Sequence, residues 1–151
     1  MLATSHTAVG AALSALARSH PVVAFGLGVA SHFALDAIPH WGAAPNHPIA
    51  PDQFITVARR DGVSALILSG FALAISPFRL ATAAAVVGAV APDANMPLEH
   101  FFKARVWPAT FERFHSVIQS EHPSRLRRDA YVAAVLSILA LGTLAAARRA
   151  S

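Results

Sequence analysis

The feature that most limits how this chain can fold is a series of apolar segments separated by short turns. The last of them, Asp129 to Ala147, lies between "RLRR" and "ARRA". It approaches the length of about 20 residues that a helix needs to cross a bilayer. Four shorter apolar segments form two pairs, which turn at "SHP" (19–21) and at "SP" (76–77). Proline ends a helix or occupies its first turn, so each turn predicts a helical hairpin.

The sequence therefore predicts an all-α protein with a single domain over residues 1–151. We expect an integral-membrane bundle of about five membrane-embedded helices, formed by two short hairpins and a C-terminal span. The predicted bounds are Thr7–Arg18, Pro21–Ala37, Gln53–Ile75, Phe78–Ala91 and Asp129–Ala147. Thr4 or Ser5 is the predicted N-cap of the first helix. An amphipathic helix beginning near Pro108 suits the membrane interface.

Composition supports membrane lipids as the partners of this chain. Hydrophobic residues make up 55% of it and charged residues only 13%, whereas soluble domains carry about 25% charged residues. The net charge is +4, but no Lys/Arg run with interleaved aromatic residues is present, so nucleic acid is excluded as a partner. Cysteine is absent, which removes thiolate metal ligands and disulfides.

The basic residues also predict an orientation. Eight of the twelve Lys and Arg residues fall at one end of the predicted hairpins, the end that also carries His32, Asp36 and Asp93. Because cytoplasmic loops are enriched in Lys and Arg, this polar end is predicted to be cytoplasmic. The expected location is a bacterial inner membrane, crossed several times, with the N-terminus in the cytoplasm.

The stretch "SHFALDAIPH" places ionisable side chains inside an apolar helix. His32 and Asp36 are four residues apart and therefore project from one helix face, and Pro39 ends the helix. A neutral imidazole and a carboxylate one turn apart can bind a cation such as Zn²⁺. Alone, this pair is more typical of a hydrogen bond that orients a loop than of a metal site.

The lengths of the two hairpins bring further polar residues to the same level. At a rise of 1.5 Å per residue, the side chains of His6, His32, Asp36 and Asp93 lie roughly 18 to 24 Å from the hairpin turns, at the opposite end of the helices. Ionisable groups at membrane depth are functional candidates, so their convergence predicts a site for one or two divalent metal ions, with Zn²⁺ favoured. The predicted ligands are His6, His32, Asp36, Asp93 and His115.

Other polar residues near this site receive more specific roles. Glu112 lies one turn from His115 and is the predicted general base. Three residues are predicted to support the ligands or to face the substrate: His40, Asn95 and Gln119.

Four short motifs carry a resemblance to a known family. "TSHTAVG", "SHFALDAIPHW", "GAVAPDANMP" and "RFHSVIQ" resemble the small bacterial inner-membrane proteins known as metal-dependent hydrolases. The best-named members are SOS-regulated, and the group is compared with zinc-dependent phospholipase C. The resemblance covers His6 to Gln119 and implies a His/Asp metal site with hydrolase chemistry, whose ligands by motif position are the five residues above. The family often has "PDxD", where this chain has Asn95.

Three functions are compatible with these patterns. The leading one is a metal-dependent hydrolase that acts on a phospholipid or another phosphoester at the cytoplasmic face. The second is a non-catalytic accessory or assembly protein whose His/Asp cluster is structural, a reading that Asn95 supports. A proton or metal pathway is the weakest, because the middle of the helices has almost no polar residues.

Overall fold

The computed structural model describes residues 1–44 and 46–150, and within them the chain is all α-helical. Helix accounts for 78% of the chain, and no strand is present in the described ranges. The all-α prediction is confirmed. The helices are α1 (Ala3–Ala17), α2 (Pro21–Asp36), α3 (Pro51–Ile75), α4 (Arg79–Val90), α5 (Asn95–Phe102), α6 (Ala109–Ile118) and α7 (Leu126–Arg149).

Helix α1 is the centre of the fold and contacts α2, α3, α4 and α7. Near its start Leu2 packs with Ala133, and further along Ala11 packs with Leu144, so α1 and α7 run parallel. Most of its buried residues are small or polar. This composition lets neighbouring helices approach α1 closely on several sides.

Helices α2 and α4 are in backbone contact through two glycines. A Cβ on Gly28 would overlap the carbonyl oxygen of Ala85, and a Cβ on Gly88 would overlap that of Phe25. Such close approach requires residues without a side chain. The pairing aligns the ends of α2 and α4, which both reach the end of the bundle where α1, α3 and α7 begin.

The start of α1 is fixed by a residue of another helix. The prediction that Thr4 or Ser5 caps α1 is wrong: the helix begins at Ala3, and its N-cap residue makes no side-chain hydrogen bond. Instead, the backbone amides of Ala3 and Thr4 donate to the Asp61 carboxylate over 2.6 and 3.2 Å. A carboxylate from α3 thus satisfies amides that have no partner within their own helix.

The segment after α4 is more helical than its sequence predicts. The sequence predicts the end of the fourth helix at Ala91 and no helix before Pro108, but Ala91–Asp93 forms a 3-10 turn and α5 follows directly. Pro97 lies in the first turn of α5, where its missing N–H removes no helical hydrogen bond. The amphipathic helix expected near Pro108 is present as α6.

One helix of the described chain is long and apolar enough to cross a membrane. It covers Pro123–Arg149, counting the 3-10 turn that precedes α7, and 17% of its most apolar window is buried inside the protein. Helix α2 is apolar but shorter. The embedding of all five helices in a membrane stays a prediction.

Candidate metal centre

Four of the five predicted metal ligands meet at the polar end of the bundle. Ligand atoms of His32, Asp36, Asp93 and His115 all lie within 4.8 Å of one another. The end of α2 supplies the first two, the 3-10 turn after α4 supplies Asp93, and α6 supplies His115. Three of the four residues are buried, and Asp93 is partly exposed.

The separations within this group are those of ligands around one ion. Nε2 of His32 lies 3.1 Å from Oδ2 of Asp36 and 3.0 Å from Nε2 of His115. Oδ1 of Asp93 lies 3.7 Å from the first imidazole and 3.8 Å from the second. Ligands that each lie about 2 Å from a metal are about 3 to 4 Å from each other. These separations are compatible with a single ion held by all four residues.

A hydrogen bond to the backbone directs the lone pair of His32 into the cluster. Nδ1 of His32 lies 2.7 Å from the carbonyl oxygen of Ala89, which can only accept, so Nδ1 carries the proton in the neutral ring. Its Nε2 then faces Asp36 and His115 as an acceptor. A cation would satisfy these facing acceptors together.

Asp36 is fully buried, and both of its oxygens face imidazole nitrogens. Oδ2 lies 2.9 Å from Nε2 of His115 and 3.1 Å from Nε2 of His32, and Oδ1 lies 3.2 Å from Nε2 of His6. Together with Asp93, Asp36 provides two negative charges, which one divalent ion would neutralise. The donor set of imidazole nitrogen and carboxylate oxygen suits Zn²⁺ better than Mg²⁺.

The fifth predicted ligand, His6, lies on the opposite side of the Asp36 carboxylate. Its Nε2 is 3.2 Å from Oδ1, and its ring stacks on His32 with centroids 4.1 Å apart. His40, predicted to support the site, places Nε2 3.9 Å from the same oxygen. The amino nitrogen of Met1 also contacts Oδ1, at 2.5 Å.

Gln119 connects the cluster with a cavity. Its amide nitrogen lies 3.3 Å from Oδ2 of Asp36 and 3.2 Å from Nε2 of His115. The cavity beside it has a volume of about 310 Å³. Its lining residues are Ala43, Ala44, Ser116, Gln119 and Glu121. A small polar substrate group could therefore approach the cluster from this side.

Glu112 and Asn95 bind each other outside the four-residue group. The Asn95 amide donates to Glu112 over 2.7 Å, and its oxygen accepts from the backbone amide of Trp107 over 2.9 Å. Arg105 forms an ion pair with Glu112 at 3.2 Å. Asn95 thus holds the connection between α5 and α6, and the role of Glu112 as a general base stays a prediction.

Two residues that support the site have no signal in the sequence. Asp129, fully buried in α7, accepts a hydrogen bond from the backbone amide of Trp41 and pairs with Arg128, which fixes the loop after α2. Glu121 lies 3.7 Å from Nε2 of His40. Asp129 reads as an ordinary acidic residue at a helix start, and Glu121 as part of a polar loop.

Comparisons with known proteins were made with family models, curated proteins and solved structures. The chain matches no protein-family model, no curated protein and no solved structure. Neither the resemblance to inner-membrane hydrolases nor a relationship to any other family is therefore established.

Proposed function

We propose that this chain is a membrane-embedded metal-dependent hydrolase that acts on a phospholipid or another phosphoester. The observation that carries this proposal is the convergence of His32, Asp36, Asp93 and His115 within 4.8 Å. A set of two imidazoles and two carboxylates, of which only Asp93 is partly exposed, is costly to assemble unless it binds a cation.

Exposed apolar side chains support the membrane location. Val22 of α2 is 84% exposed and Ile138 of α7 is 71% exposed. Further large apolar side chains that are more than half exposed include Leu16, Leu66, Phe71 and Leu80. Apolar surface of this kind on α1 to α4 and α7 suits contact with lipid. The excess of basic residues at the polar end favours a cytoplasmic metal centre.

The chemistry follows from where the ligands and the cavity lie. A divalent ion supplies Lewis acidity: it makes water deprotonate near neutral pH and stabilises negative charge on the attacked group. Asp36 and Asp93 would hold such an ion, His32 and His115 would complete its ligand set, and Gln119 would orient Asp36 and face the substrate. The cavity beside Gln119, about 310 Å³ in volume, has room for a phosphoester group rather than for a whole lipid.

A non-catalytic accessory protein is the second candidate. The observation that favours it is the binding of Glu112 by Asn95 and Arg105, which leaves the predicted base engaged. In that case the His/Asp cluster is a structural hydrogen-bonded network, and the protein holds no stoichiometric metal.

A hydrolysis assay separates the two candidates. We expect detergent-purified protein to hydrolyse phospholipid vesicles or a chromogenic phosphodiester, to lose this activity with EDTA and to regain it with Zn²⁺. The matched control is His115→Ala, which removes one ligand and should not regain activity. Equal turnover with and without chelator, or no turnover with any divalent metal, would contradict the hydrolase proposal.

A further inference from the structure

The side of Asp36 that faces away from the four-residue group contains imidazole nitrogens without partners. Nδ1 of His6 and Nε2 of His40 are buried and make no hydrogen bond, and Nε2 of His6 has only a 3.2 Å contact with Oδ1 of Asp36. Both side chains are fully buried. A buried polar atom without a partner costs about 1 to 3 kcal/mol, so such atoms are expected to have a ligand.

We propose a second divalent-cation site on this side. Asp36 is the residue that it shares with the first centre, and Oδ1 is the ligand atom that Asp36 contributes to the second site. Its other ligands are His6, His40 and Glu121. The inference rests on the proposed metal centre, because Asp36 would bridge the two positions through its two oxygens.

The distances between Oδ1 of Asp36 and the neighbouring side chains are compatible with ligands of one ion. Nε2 of His6 lies 3.2 Å from Oδ1 and Nε2 of His40 lies 3.9 Å from it. Oε1 of Glu121 lies 3.7 Å from Nε2 of His40. These separations are again those of ligands about 2 Å from one metal ion.

The ring of His40 is oriented for this role. Its Nδ1 lies 2.8 Å from the carbonyl oxygen of Ile38, so Nδ1 carries the proton and Nε2 presents a lone pair. The backbone of His40 bonds to Ser120 and His122 over 2.8 and 2.9 Å. This pairing of two loops brings Glu121 beside the ring.

A positive group already lies on this side of the carboxylate. The amino nitrogen of Met1 contacts Oδ1 at 2.5 Å, yet the imidazole nitrogens stay without partners. A metal ion would satisfy the carboxylate and the imidazoles together. Two divalent ions held by three carboxylates also leave net positive charge, which attracts an anionic phosphoester.

Gly42 offers a way to displace Glu121 without changing its charge. A Cβ on Gly42 would overlap the side chain of Glu121, so Gly42→Ala should move the carboxylate away from His40. A Cβ on Gly62 would meet nothing within 4 Å, which makes Gly62→Ala the matched control.

The test is calorimetric titration of chelator-treated, C-terminally tagged protein with Zn²⁺. We expect two ions per chain for the wild type and for Gly62→Ala, and one ion for Glu121→Gln and for Gly42→Ala. Glu112→Gln, the same chemical change at a carboxylate outside both groups, should keep two.

Other numbers of bound Zn²⁺ ions would overturn the second site or both sites. A wild type that binds one ion overturns the second site and leaves the proposed metal centre in place. Two ions in Glu121→Gln remove Glu121 from the ligands and overturn the site as proposed. A wild type that binds none overturns the metal centre and this inference with it.

Discussion

Replacing Asp36 with alanine is expected to abolish metal binding. Oδ2 of Asp36 lies 2.9 Å from Nε2 of His115 and 3.1 Å from Nε2 of His32, and no other carboxylate in the described cluster is fully buried. Without Asp36 these imidazoles lose their shared partner. Leaving a buried polar group without its partner costs about 1 to 3 kcal/mol, so we expect a loss of stability of this size.

Metal content and thermal unfolding of the purified variant measure both effects. The matched control is Asp52→Ala, which removes an exposed carboxylate in the first turn of α3. This control should keep its metal and change stability by no more than about 0.5 kcal/mol. An Asp36→Ala protein that is folded and holds as much metal as the wild type would contradict the assignment of Asp36.

Metal loading is expected to stabilise the fold strongly. A ligand that binds only the folded state adds about 2.7 kcal/mol at 100 times its dissociation constant and about 4.1 kcal/mol at 1,000 times. Because the ligands come from α2, the turn after α4, and α6, the ion would join elements that unfolding separates. The unfolding midpoint should therefore fall with EDTA and recover with Zn²⁺.

The choice of ion provides a control for this stabilisation. Imidazole ligands favour Zn²⁺, whereas Mg²⁺ prefers oxygen ligands, so an excess of Mg²⁺ should not restore the midpoint. Asp36→Ala, which lacks the residue that both proposed sites share, should unfold at one temperature with and without Zn²⁺. If the wild type unfolds at the same temperature in both conditions, binding does not occur at a folded site.

Much of the four-residue group could be predicted because it follows from local geometry and helix length. The spacing of His32 and Asp36 depends only on helical periodicity. The level of Asp93 follows from the rise per residue between a hairpin turn and the next proline. The sequence therefore predicts the helices and the polar end together, although it places the N-cap of α1 incorrectly and misses α5.

The supporting contacts depend on tertiary placement that no local pattern encodes. Asp61 satisfies the start of α1 from another helix, and Asp129 fixes the loop at Trp41 from α7. Glu121 comes beside His40 through the pairing of two loops. Each contact joins residues far apart in sequence, and acidic residues at such positions usually lie in solvent.

Elemental analysis of the wild-type protein tests the central claim, that the His/Asp cluster binds a divalent metal. The protein would be purified in detergent without chelator, equilibrated with buffered Zn²⁺ and freed of unbound metal. Circular dichroism would establish that it is folded, and the double variant His32→Ala/His115→Ala would be treated identically. We predict at least one Zn²⁺ per chain in the wild type and one Zn²⁺ fewer per chain in the variant. A folded wild type without stoichiometric metal would contradict the account.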